Sequence, residues 1–521
     1  MSELDLPALA ARDDEKPTTS MEEINLALKE CGFGWFNVRQ LFTSFTAFIG
    51  GLLVTAMTPY ILPIAECDLG MSLVQKGILN AAPYFGMMAS SIIAGFLTDT
   101  FGRKIFLVGG YGGIFTCTVI AGFSQTYGVL LASNLFCGLL FAAAFGATLT
   151  YTSEFCHKGI RDRVLLIQSS FAALSHIIVA FLSWAILIQD WNDSLFGGFI
   201  VLHTWNYYIL LMSLWSLFAC ILYVFLPESP KYYITQNRYG EAREILIKIY
   251  KQNTGKSAET FLYKDIWKDK EKKTLPEARR LKATTLTQQL SQGLQNIKPM
   301  LRKPLVSYLL LLSTMNFCTM FLYNIIRLWF PQLSTIVEHY EGSDQDLCVM
   351  LDAYTRDLRL RSIQSTGADI CVPVKSGTIT YVNSIILGCV CLLPFVITGT
   401  LVNRVGKKNL LIIASTASIA ATLGIRWSSS KLAIVALFSL DASMSQTIMS
   451  LSQATTIELF PTTSRTLAIC VMMTLGRIGS LVGNVTFPIL LDISCQLPFF
   501  TLAGLMIFVT SLILLLPKKK K

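Results

Sequence analysis

Apolar stretches long enough to cross a lipid bilayer recur along almost the whole chain. A hydrocarbon core roughly 30 Å thick requires about 20 mostly apolar residues in an α-helix. Only 15% of the 521 residues are charged, against roughly 25% in soluble domains, so a soluble globule is excluded. The sequence therefore predicts an all-α membrane protein with twelve transmembrane helices, near 41–64, 76–98, 105–124, 128–152, 164–188, 207–226, 304–330, 376–400, 409–426, 431–457, 466–488 and 496–516.

The positive charge of the chain lies in particular loops. The net charge is +10, and the loop between Lys231 and Lys303 alone carries an excess of that size. Membrane proteins keep Lys-rich and Arg-rich loops in the cytoplasm, so an even number of helices with this charge pattern predicts that both termini are cytoplasmic. The same rule explains the basic composition without a nucleic-acid partner.

The predicted helices form two halves with polar segments before, between and after them. In the central segment, apolar residues from Tyr233 to Tyr250 recur at helical spacing and predict an amphipathic helix. The predicted division is a cytoplasmic N-terminal segment at 1–40, six-helix halves at 41–226 and 304–516, a cytoplasmic central loop at 227–303 and a basic cytoplasmic tail at 517–521. The tail is interpreted as a contact with the lipid surface or as a dilysine retrieval signal.

A loop at 332–375 lies on the side predicted to be extracellular or luminal. It contains Cys348 and Cys371 in a compartment that permits disulfides. A bridge between these two cysteines is one alternative, since Cys67 and Cys495 also lie near that side. Asn192 begins a glycosylation sequon on the same side, although its closeness to the fifth helix can block the modification.

A repeat at a constant offset relates the two halves. The segment 95–104 reads GFLTDTFGRK and the segment 399–408 reads GTLVNRVGKK, an offset of 304 residues. A glutamate followed seven residues later by an arginine also recurs at that offset, at Glu154 and Glu458. Because each motif occupies the same place in its half, the sequence predicts a duplicated six-helix unit. Parallel six-helix repeats joined by a long loop are typical of the major facilitator fold, whose substrate site lies between the halves near the bilayer midplane.

The motifs also resemble those of known families. The repeated turn resembles the major facilitator signature, and Pro227–Lys231 (PESPK) and Glu458–Arg465 (ELFPTTSR) resemble the sugar-porter and organic-ion-transporter branch. The resemblance implies a secondary transporter and places a tryptophan of the central site at Trp184. Four segments resemble the synaptic vesicle glycoprotein 2 family and its invertebrate relatives, namely Leu62–Leu69, Lys76-Gly77, Gly86–Met88 and Leu328–Pro331.

The chain differs from these relatives at positions that matter for ion coupling. The first helix has no acidic residue between Gly50 and Thr55, Asn134 replaces an arginine, and Gln453 replaces an acidic residue. The loop at 332–375 is also much shorter than the folded domain of the vesicle glycoproteins. These differences leave open proton coupling, sodium coupling and uncoupled facilitated diffusion.

Polar and ionisable residues inside the predicted helices mark a candidate cavity, because such groups are costly in hydrocarbon. Arg477 and Asp441 both fall near the midplane, and we expect them to form an ion pair that is either structural or part of the transport path. Polar side chains recur along one face of the seventh predicted helix and one face of the tenth. Each row is interpreted either as the lining of a cavity or as a contact between helices. The candidate cavity residues are Trp184, Asn316, Tyr323, Asn324, Arg327, Asp441, Gln446, Met449, Gln453 and Arg477.

Charged residues at the cytoplasmic ends of the helices predict a gating latch. We expect them to pair across the two halves when the inside is closed and to separate when it opens. The alternatives are that the basic residues only set the topology and that Gly95 and Gly399 only allow close packing. The latch residues are Gly95, Asp99, Arg103, Glu154, Arg161, Arg163, Glu228, Arg404, Glu458 and Arg465.

The sequence contains no motif for nucleotide binding, metal binding or nucleophilic catalysis. It therefore predicts no enzyme, cofactor or metal, and favours a monomeric secondary transporter or facilitator of a small organic solute in the plasma membrane or an intracellular vesicle membrane. Two alternatives remain, a sugar facilitator and a non-transporting vesicle protein that binds partners. His176 inside the fifth helix is interpreted as a packing residue or, less simply, a proton relay.

Overall fold

The computed structural model describes residues 20–198, 200–268, 303–339, 347–353, 356, 377–428, 430–460 and 462–517. Most of the basic part of the central loop, most of the loop at 332–375 and the four terminal lysines lie outside the described residues. The side chains of Asp99 and Arg465 also lie outside the described part, as does Cys371.

Long α-helices make up almost all of the described chain. Those before the central loop are α1 (Ser20–Cys31), α2 (Trp35–Ala56), α3 (Thr58–Ala65), α4 (Leu73–Phe101), α5 (Arg103–Gly122), α6 (Tyr127–Glu154), α7 (Lys158–Leu187) and α8 (Thr204–Val224). They are followed by α9 (Pro230–Thr235), α10 (Tyr239–Thr254), α11 (Leu305–His339), α12 (Thr378–Val405), α13 (Lys407–Arg426), α14 (Lys431–Leu459), α15 (Thr462–Ile493) and α16 (Gln496–Leu514).

The predicted all-α membrane fold is confirmed. Within the described residues, ten helices are long and apolar enough to cross a membrane. The two other predicted spans correspond to α4 and α12, which contain 29 and 28 residues. Exposed apolar side chains such as Ile105 and Ile413 suit a lipid-facing surface, where the backbone is already satisfied within each helix.

A short β-hairpin was not predicted. Strands β1 (Asn192–Leu195) and β2 (Ile200–His203) pair antiparallel between α7 and α8. The connection is tight because Gly197 and Gly198 adopt φ values of 69° and 95°, which side chains with a Cβ rarely adopt. Asn192 of the predicted sequon is exposed at the start of β1.

A smaller compact unit comprises residues 20–41, 150–165 and 227–268. Helix α1 was not predicted, and its buried residues Ile24, Ala27, Leu28 and Cys31 recur at helical spacing. The Cys31 thiol donates to the Leu246 carbonyl of α10 at 3.6 Å, and burial raises its pKa to about 12.

The apolar residues that predicted an amphipathic helix lie on two helices of this smaller unit. The chain turns between α9 and α10 at Asn237, which has a φ of 57°. Helix α10 buries Ala242, Leu246, Ile249 and Tyr250 as the spacing predicts. Its Asn253 accepts from the backbone N–H of Phe36 at 3.0 Å, so α10 lies against the start of α2.

The larger unit contains the rest of the described chain, including most of both predicted halves. The repeated motif has the same backbone in each half. Gly102, between α4 and α5, has φ 97° and ψ 159°, and Gly406, between α12 and α13, has φ 86° and ψ 147°. This region is open almost only to glycine, so the glycine of the motif permits the sharp turn between two long helices. We call the membrane face with these turns the basic face, and the other the opposite face.

The lysine that ends each repeated motif makes an equivalent contact. Lys104 donates to the carbonyl of Val224, the last residue of α8, at 2.9 Å. Lys408 donates to the carbonyls of Leu514, the last residue of α16, and Leu516 at 2.7 and 2.6 Å. A cation at a helix C-terminus pairs with unsatisfied carbonyls and with the negative end of the helix dipole. The duplication predicted from the sequence is therefore visible in both backbone and side chains.

Disulfides at the opposite face differ from the expected pair. Cys348 bonds to Cys495, just before α16, with Cα atoms 5.4 Å apart, so the bridge from Cys348 to Cys371 is wrong. Cys67 is also disulfide-bonded. Four cysteines lie near this face in sequence, and only the folded chain decides which of them come within bonding distance.

Close helix contacts join the halves on the side of the opposite face. A Cβ on Gly77 of α4 would lie 2.5 Å from the Asn484 carbonyl oxygen of α15, and a Cβ on Gly388 of α12 would lie 2.9 Å from Ile177 of α7. Glycine is thus required where these helices approach.

Candidate functional site

A kink in the first membrane span forms one wall of the candidate site. The span divides into α2 and α3 at Met57, because Pro59 has no N–H to donate to the carbonyl of Thr55. The kink places Ala56, Pro59 and Tyr60 on the wall of a central cavity.

Arg327 of α11 lies at the centre of the site. Its guanidinium donates to the ring nitrogen of His176 on α7, and to the hydroxyls of Thr55 on α2 and Tyr84 on α4, both at 3.3 Å. Its Cζ also lies 5.7 Å from the ring centre of Tyr323. One arginine of the C-terminal half therefore contacts three helices of the N-terminal half.

The hydrogen bonds of His176 define its protonation state. Its Nδ1 lies 2.7 Å from the Ala172 carbonyl, which only accepts, so Nδ1 carries the proton. Its Nε2 faces a guanidinium that only donates, so Nε2 accepts. The imidazole is therefore neutral, and it does not compensate the charge of Arg327.

Two cavities meet at Arg327 and His176, which line both of them together with Leu387. The first cavity, toward the opposite face, has about 420 Å³ of atom-free space, counting space open to solvent, and includes Tyr60 and Ser384. The second cavity, toward the basic face, has about 280 Å³ on the same basis and is otherwise lined by Tyr323, Gly388, Cys391, Ala442 and Gln446. The contact between Arg327 and His176 therefore lies where the two cavities meet.

An aromatic pair lies beyond the first cavity. The rings of Tyr60 on α3 and Tyr381 on α12 are stacked 6.2 Å apart, and Tyr381 is fully buried. Together with the contact at Gly77, this pair joins the two halves at the opposite face.

The polar row predicted on the seventh span serves two purposes. Tyr323 and Arg327 line the second cavity. Asn324 accepts from the Tyr84 hydroxyl at 2.6 Å and donates to the Ser480 hydroxyl of α15 at 2.7 Å, so it links α4, α11 and α15. Asn316 donates to the Met472 carbonyl at 2.8 Å and joins α11 to α15.

The expected ion pair between Arg477 and Asp441 is wrong. Asp441 is fully buried and accepts from the Ser418 hydroxyl and, at 2.7 Å, from the Thr422 hydroxyl. Both partners lie on α13, whereas Arg477 donates to the Ser91 hydroxyl of α4. Adjacency of α14 and α15 in sequence predicted the pair, but the two side chains extend to different neighbours.

The remaining predicted cavity residues have separate positions. Gln446 lines the second cavity. Gln453 donates to the Met473 sulfur at 3.8 Å, and Met449 is partly buried. Trp184 packs at the edge of a hydrophobic cluster and meets the exposed Phe181 edge-on at 6.1 Å. The structure thus brings Tyr323, Arg327 and Gln446 to one cavity and places Trp184 against packed side chains.

The predicted latch residues are charged side chains near the helix ends. Glu458 pairs with Lys407 of its own half at 2.9 Å. Arg161, Arg163 and Arg404 are exposed, and Arg103, Glu154 and Glu228 are partly buried. The latch across the halves therefore stays a prediction.

Sequence reasoning missed Tyr84, Thr55, Tyr60 and Ser384. None of them belongs to the polar rows predicted on the seventh and tenth spans. His176 was considered only as a packing residue or a proton relay. Polar residues near the midplane of different spans were the available signal, but their convergence depends on helix rotation.

The segments that resemble the vesicle glycoproteins make buried contacts at the opposite face. Glu66 and Lys76 form an ion pair at 2.6 Å, with the Lys76 side chain fully buried. The Trp205 ring donates to Asp68 at 2.7 Å. Removing one partner of a buried pair leaves an uncompensated charge, so these residues hold the connection between α3 and α4.

The fold and the site together define a multi-pass membrane protein of the major facilitator class. The profile described as "Sugar (and other) transporter" matches residues 34–328, and that described as "Major Facilitator Superfamily" matches residues 369–521. The first match covers more than half of the chain, so the chain belongs to the sugar (and other) transporter family.

Curated relatives include the synaptic vesicle glycoproteins, which confirms the predicted resemblance. Synaptic vesicle glycoprotein 2B of Rattus norvegicus is 28% identical over 250 residues, which is 48% of this chain and 36% of that protein. Synaptic vesicle glycoprotein 2A of the same species is 27% identical over 243 residues, which is 46% of this chain and 32% of that protein. The chain thus spans about a third of the length of these relatives.

Solved structures with the same fold include sugar transporters. The partially occluded inward-open xylose transporter XylE from E. coli has a TM-score of 0.62 and 14% identity, covering 93% of this chain and all of that one. A D-xylose-proton symporter has a TM-score of 0.57 and 15% identity, covering 95% of this chain and 97% of that one. At these identities the similarity shows the fold.

Proposed function

We propose that the chain is a monomeric secondary transporter that moves a small organic solute by alternating access. The observation that carries this proposal is the pair of cavities on either side of Arg327 and His176, between two duplicated halves. A solute that replaces this contact would connect the cavities in turn with each face.

Contacts between the halves at the opposite face support the same proposal. The halves meet there through Gly77 and through the stacked rings of Tyr60 and Tyr381, as expected of a conformation closed on that side. In an alternating mechanism these contacts separate while the latch residues at the basic face pair. We assign the basic face to the cytoplasm because it carries Arg103, Lys104 and Lys407, in agreement with the positive-inside rule.

Family membership supports transport and leaves the solute open. The names of the relatives refer to synaptic vesicles and to xylose, and at the identities found they do not transfer a substrate to this chain. The plasma membrane and an intracellular vesicle membrane are both compatible locations.

A labelling experiment tests alternating access without knowledge of the solute. In a background without reactive native cysteines, the Ser384→Cys variant places a thiol in the first cavity. A membrane-impermeant maleimide applied to the opposite face is expected to label it slowly. Adding Gly77→Leu forces a side chain against Asn484 and is expected to open the opposite face, so labelling should rise by about tenfold or more, the effect of roughly 1.4 kcal/mol on the equilibrium.

Gly109→Leu is the matched control, because a Cβ at Gly109 meets nothing within 4 Å. It adds the same side chain in a membrane helix and should leave labelling unchanged. Equal labelling in the Gly77→Leu and Gly109→Leu backgrounds would indicate a fixed scaffold, as expected of a non-transporting protein that binds partners. Uptake of a panel of sugars, organic ions and amines by reconstituted vesicles, with and without a pH gradient, then addresses solute and coupling.

A further inference from the structure

The charges inside the described membrane helices do not balance. Away from the helix ends, the described helices contain two cations, Arg327 and Arg477, and one carboxylate, Asp441. The carboxylate accepts from two hydroxyls of α13 and contacts neither arginine. Glu66 and Lys76, nearer the opposite face, neutralise each other. The centre of the bundle is therefore positively charged.

Every described polar partner of Arg327 is neutral. The guanidinium donates to the neutral imidazole of His176 and to the hydroxyls of Thr55 and Tyr84. Its Nε is buried and has no hydrogen-bond partner among the described residues. A desolvated cation without an anion is costly, and an anion that enters the cavity relieves that cost.

The remaining wall of the first cavity suits an organic group. Apart from Arg327, His176 and Ser384, its lining includes Tyr60, Phe330 and Leu387. Aromatic and aliphatic walls with a single convergent cation favour a ligand that has an apolar body and one anionic end. A guanidinium binds a carboxylate through two parallel hydrogen bonds, which adds orientation as well as affinity.

We propose that the solute is a small organic anion whose carboxylate binds the Arg327 guanidinium and whose apolar body packs against Tyr60, Phe330 and Leu387. This rests on the proposed function only in that the central cavity receives the solute. In binding, the carboxylate replaces His176 as the partner of Arg327, so occupancy opens the contact where the two cavities meet.

Binding of charge isosteres to the full chain tests this proposal. Benzoate, benzamide and benzylamine share a ring and differ in charge, and their affinities for the purified protein are measured by thermal shift and equilibrium dialysis in a buffer that contains neither carboxylates nor chloride. We expect benzoate to bind best. In the Arg327→Gln variant its affinity should fall by about 10- to 100-fold, the usual effect of losing a charge-assisted bidentate pair, while the affinity for benzamide changes little.

Two further variants separate the site from general effects. Arg327→Lys keeps the charge and should keep the preference for benzoate over benzamide, even if Arg327→Gln folds poorly. Lys104→Gln removes a positive charge of α5 that contacts the end of α8, away from Arg327. This variant should leave the preference for benzoate over benzamide unchanged.

The proposal is overturned if benzoate fails to bind, if benzamide or benzylamine binds as well, or if Arg327→Gln retains the preference. It is also overturned if chloride competes as effectively as benzoate, since the site would then hold an inorganic ion. These outcomes are independent of the labelling experiment, because a fixed scaffold binds benzoate without changing accessibility. Failure of the substrate class and failure of transport are therefore distinguishable.

Discussion

The turns at the basic face and the centre of the bundle differ in how well they preserve the duplication. At the turns, Gly102 and Gly406 share a backbone conformation, and Lys104 and Lys408 both contact the last carbonyls of their halves. At the centre, Arg327, Asp441 and Arg477 all belong to the C-terminal half. The N-terminal half contributes neutral polar groups to the centre, namely Thr55, Tyr84 and His176.

This difference shows which constraints act on each region. The turn has the same structural role in each half. It ends the second membrane helix, begins the third membrane helix and contacts the end of the sixth membrane helix through its lysine. The cavity is shared, so the cation Arg327 serves both halves, and the N-terminal half supplies neutral partners. Symmetry is therefore retained at the turns and lost at the centre, where we propose that the solute binds.

Replacing both turn glycines should produce the largest loss of stability. Alanine at Gly102 or Gly406 is forced into a backbone region open almost only to glycine, which costs about 1–3 kcal/mol at each site. The two sites lie in different halves, so the double variant should show the sum of the single effects, about 2–6 kcal/mol. SDS titration of the purified chain in mixed micelles measures the free energy of unfolding.

Gly109→Ala, in the middle of α5, is the control for the loss of a glycine. Alanine is about 1 kcal/mol better than glycine within a helix, so this variant should be neutral or stabilising. Unequal losses at Gly102 and Gly406 would show that the turns are not equivalent.

Replacing Asp441 should have an intermediate effect on stability and little effect on transport. Asp441→Leu leaves the Ser418 hydroxyl without its buried acceptor and leaves the Thr422 hydroxyl only the Ser418 carbonyl, at a cost of about 1–3 kcal/mol. Asp441→Asn keeps one acceptor oxygen and should cost less. The two measurements are unfolding by SDS and uptake by reconstituted protein.

The Asp441→Asn variant also distinguishes packing from ion coupling. A structural carboxylate predicts normal uptake and a normal response to a pH gradient. Uptake that falls tenfold in a stably folded Asp441→Asn protein would instead give this carboxylate a role in coupling. Arg327 would then not be the only charged residue with a function in transport.

Replacing Lys104 and Lys408, which contact the last carbonyls of α8 and α16, should have the smallest effect on stability. Lys104→Met and Lys408→Met each remove a cation from a helix C-terminus, which costs about 0.3–1 kcal/mol. We expect equal losses, since both lysines contact the last residue of the sixth helix of their half. A loss at only one of them, measured by the same SDS titration, would contradict the functional equivalence of the turns.

Much of the fold was predictable because it depends on patterns along the chain. Hydropathy predicts helices from length and composition, since the bilayer core offers no partners for an open backbone. The offset of 304 residues predicts the duplication, and both turn motifs appear where that offset places them. Hairpin β1–β2, helix α1 and the Cys348–Cys495 bridge were not predicted, because short elements and cysteine pairings depend on neighbours distant in sequence.

The candidate site was predictable only in part. The row on the seventh span correctly brings Tyr323 and Arg327 to a cavity, because residues four apart share one face of a helix. The same reasoning assigned Asp441 to the cavity, and its depth in the membrane paired it with Arg477, whereas Asp441 packs against α13. Periodicity gives the residues that share a face of a helix, but it does not give the neighbour that the face meets.

The sequence by itself determined that this chain crosses the membrane many times, that it consists of two copies of one unit, and that a few ionisable groups lie at membrane depth. These features follow from local composition and spacing. Tertiary structure alone decided that Arg327 faces His176, Thr55 and Tyr84 rather than a carboxylate. Helix rotation and packing set those contacts, and both are governed by the summed fit of many side chains along each interface.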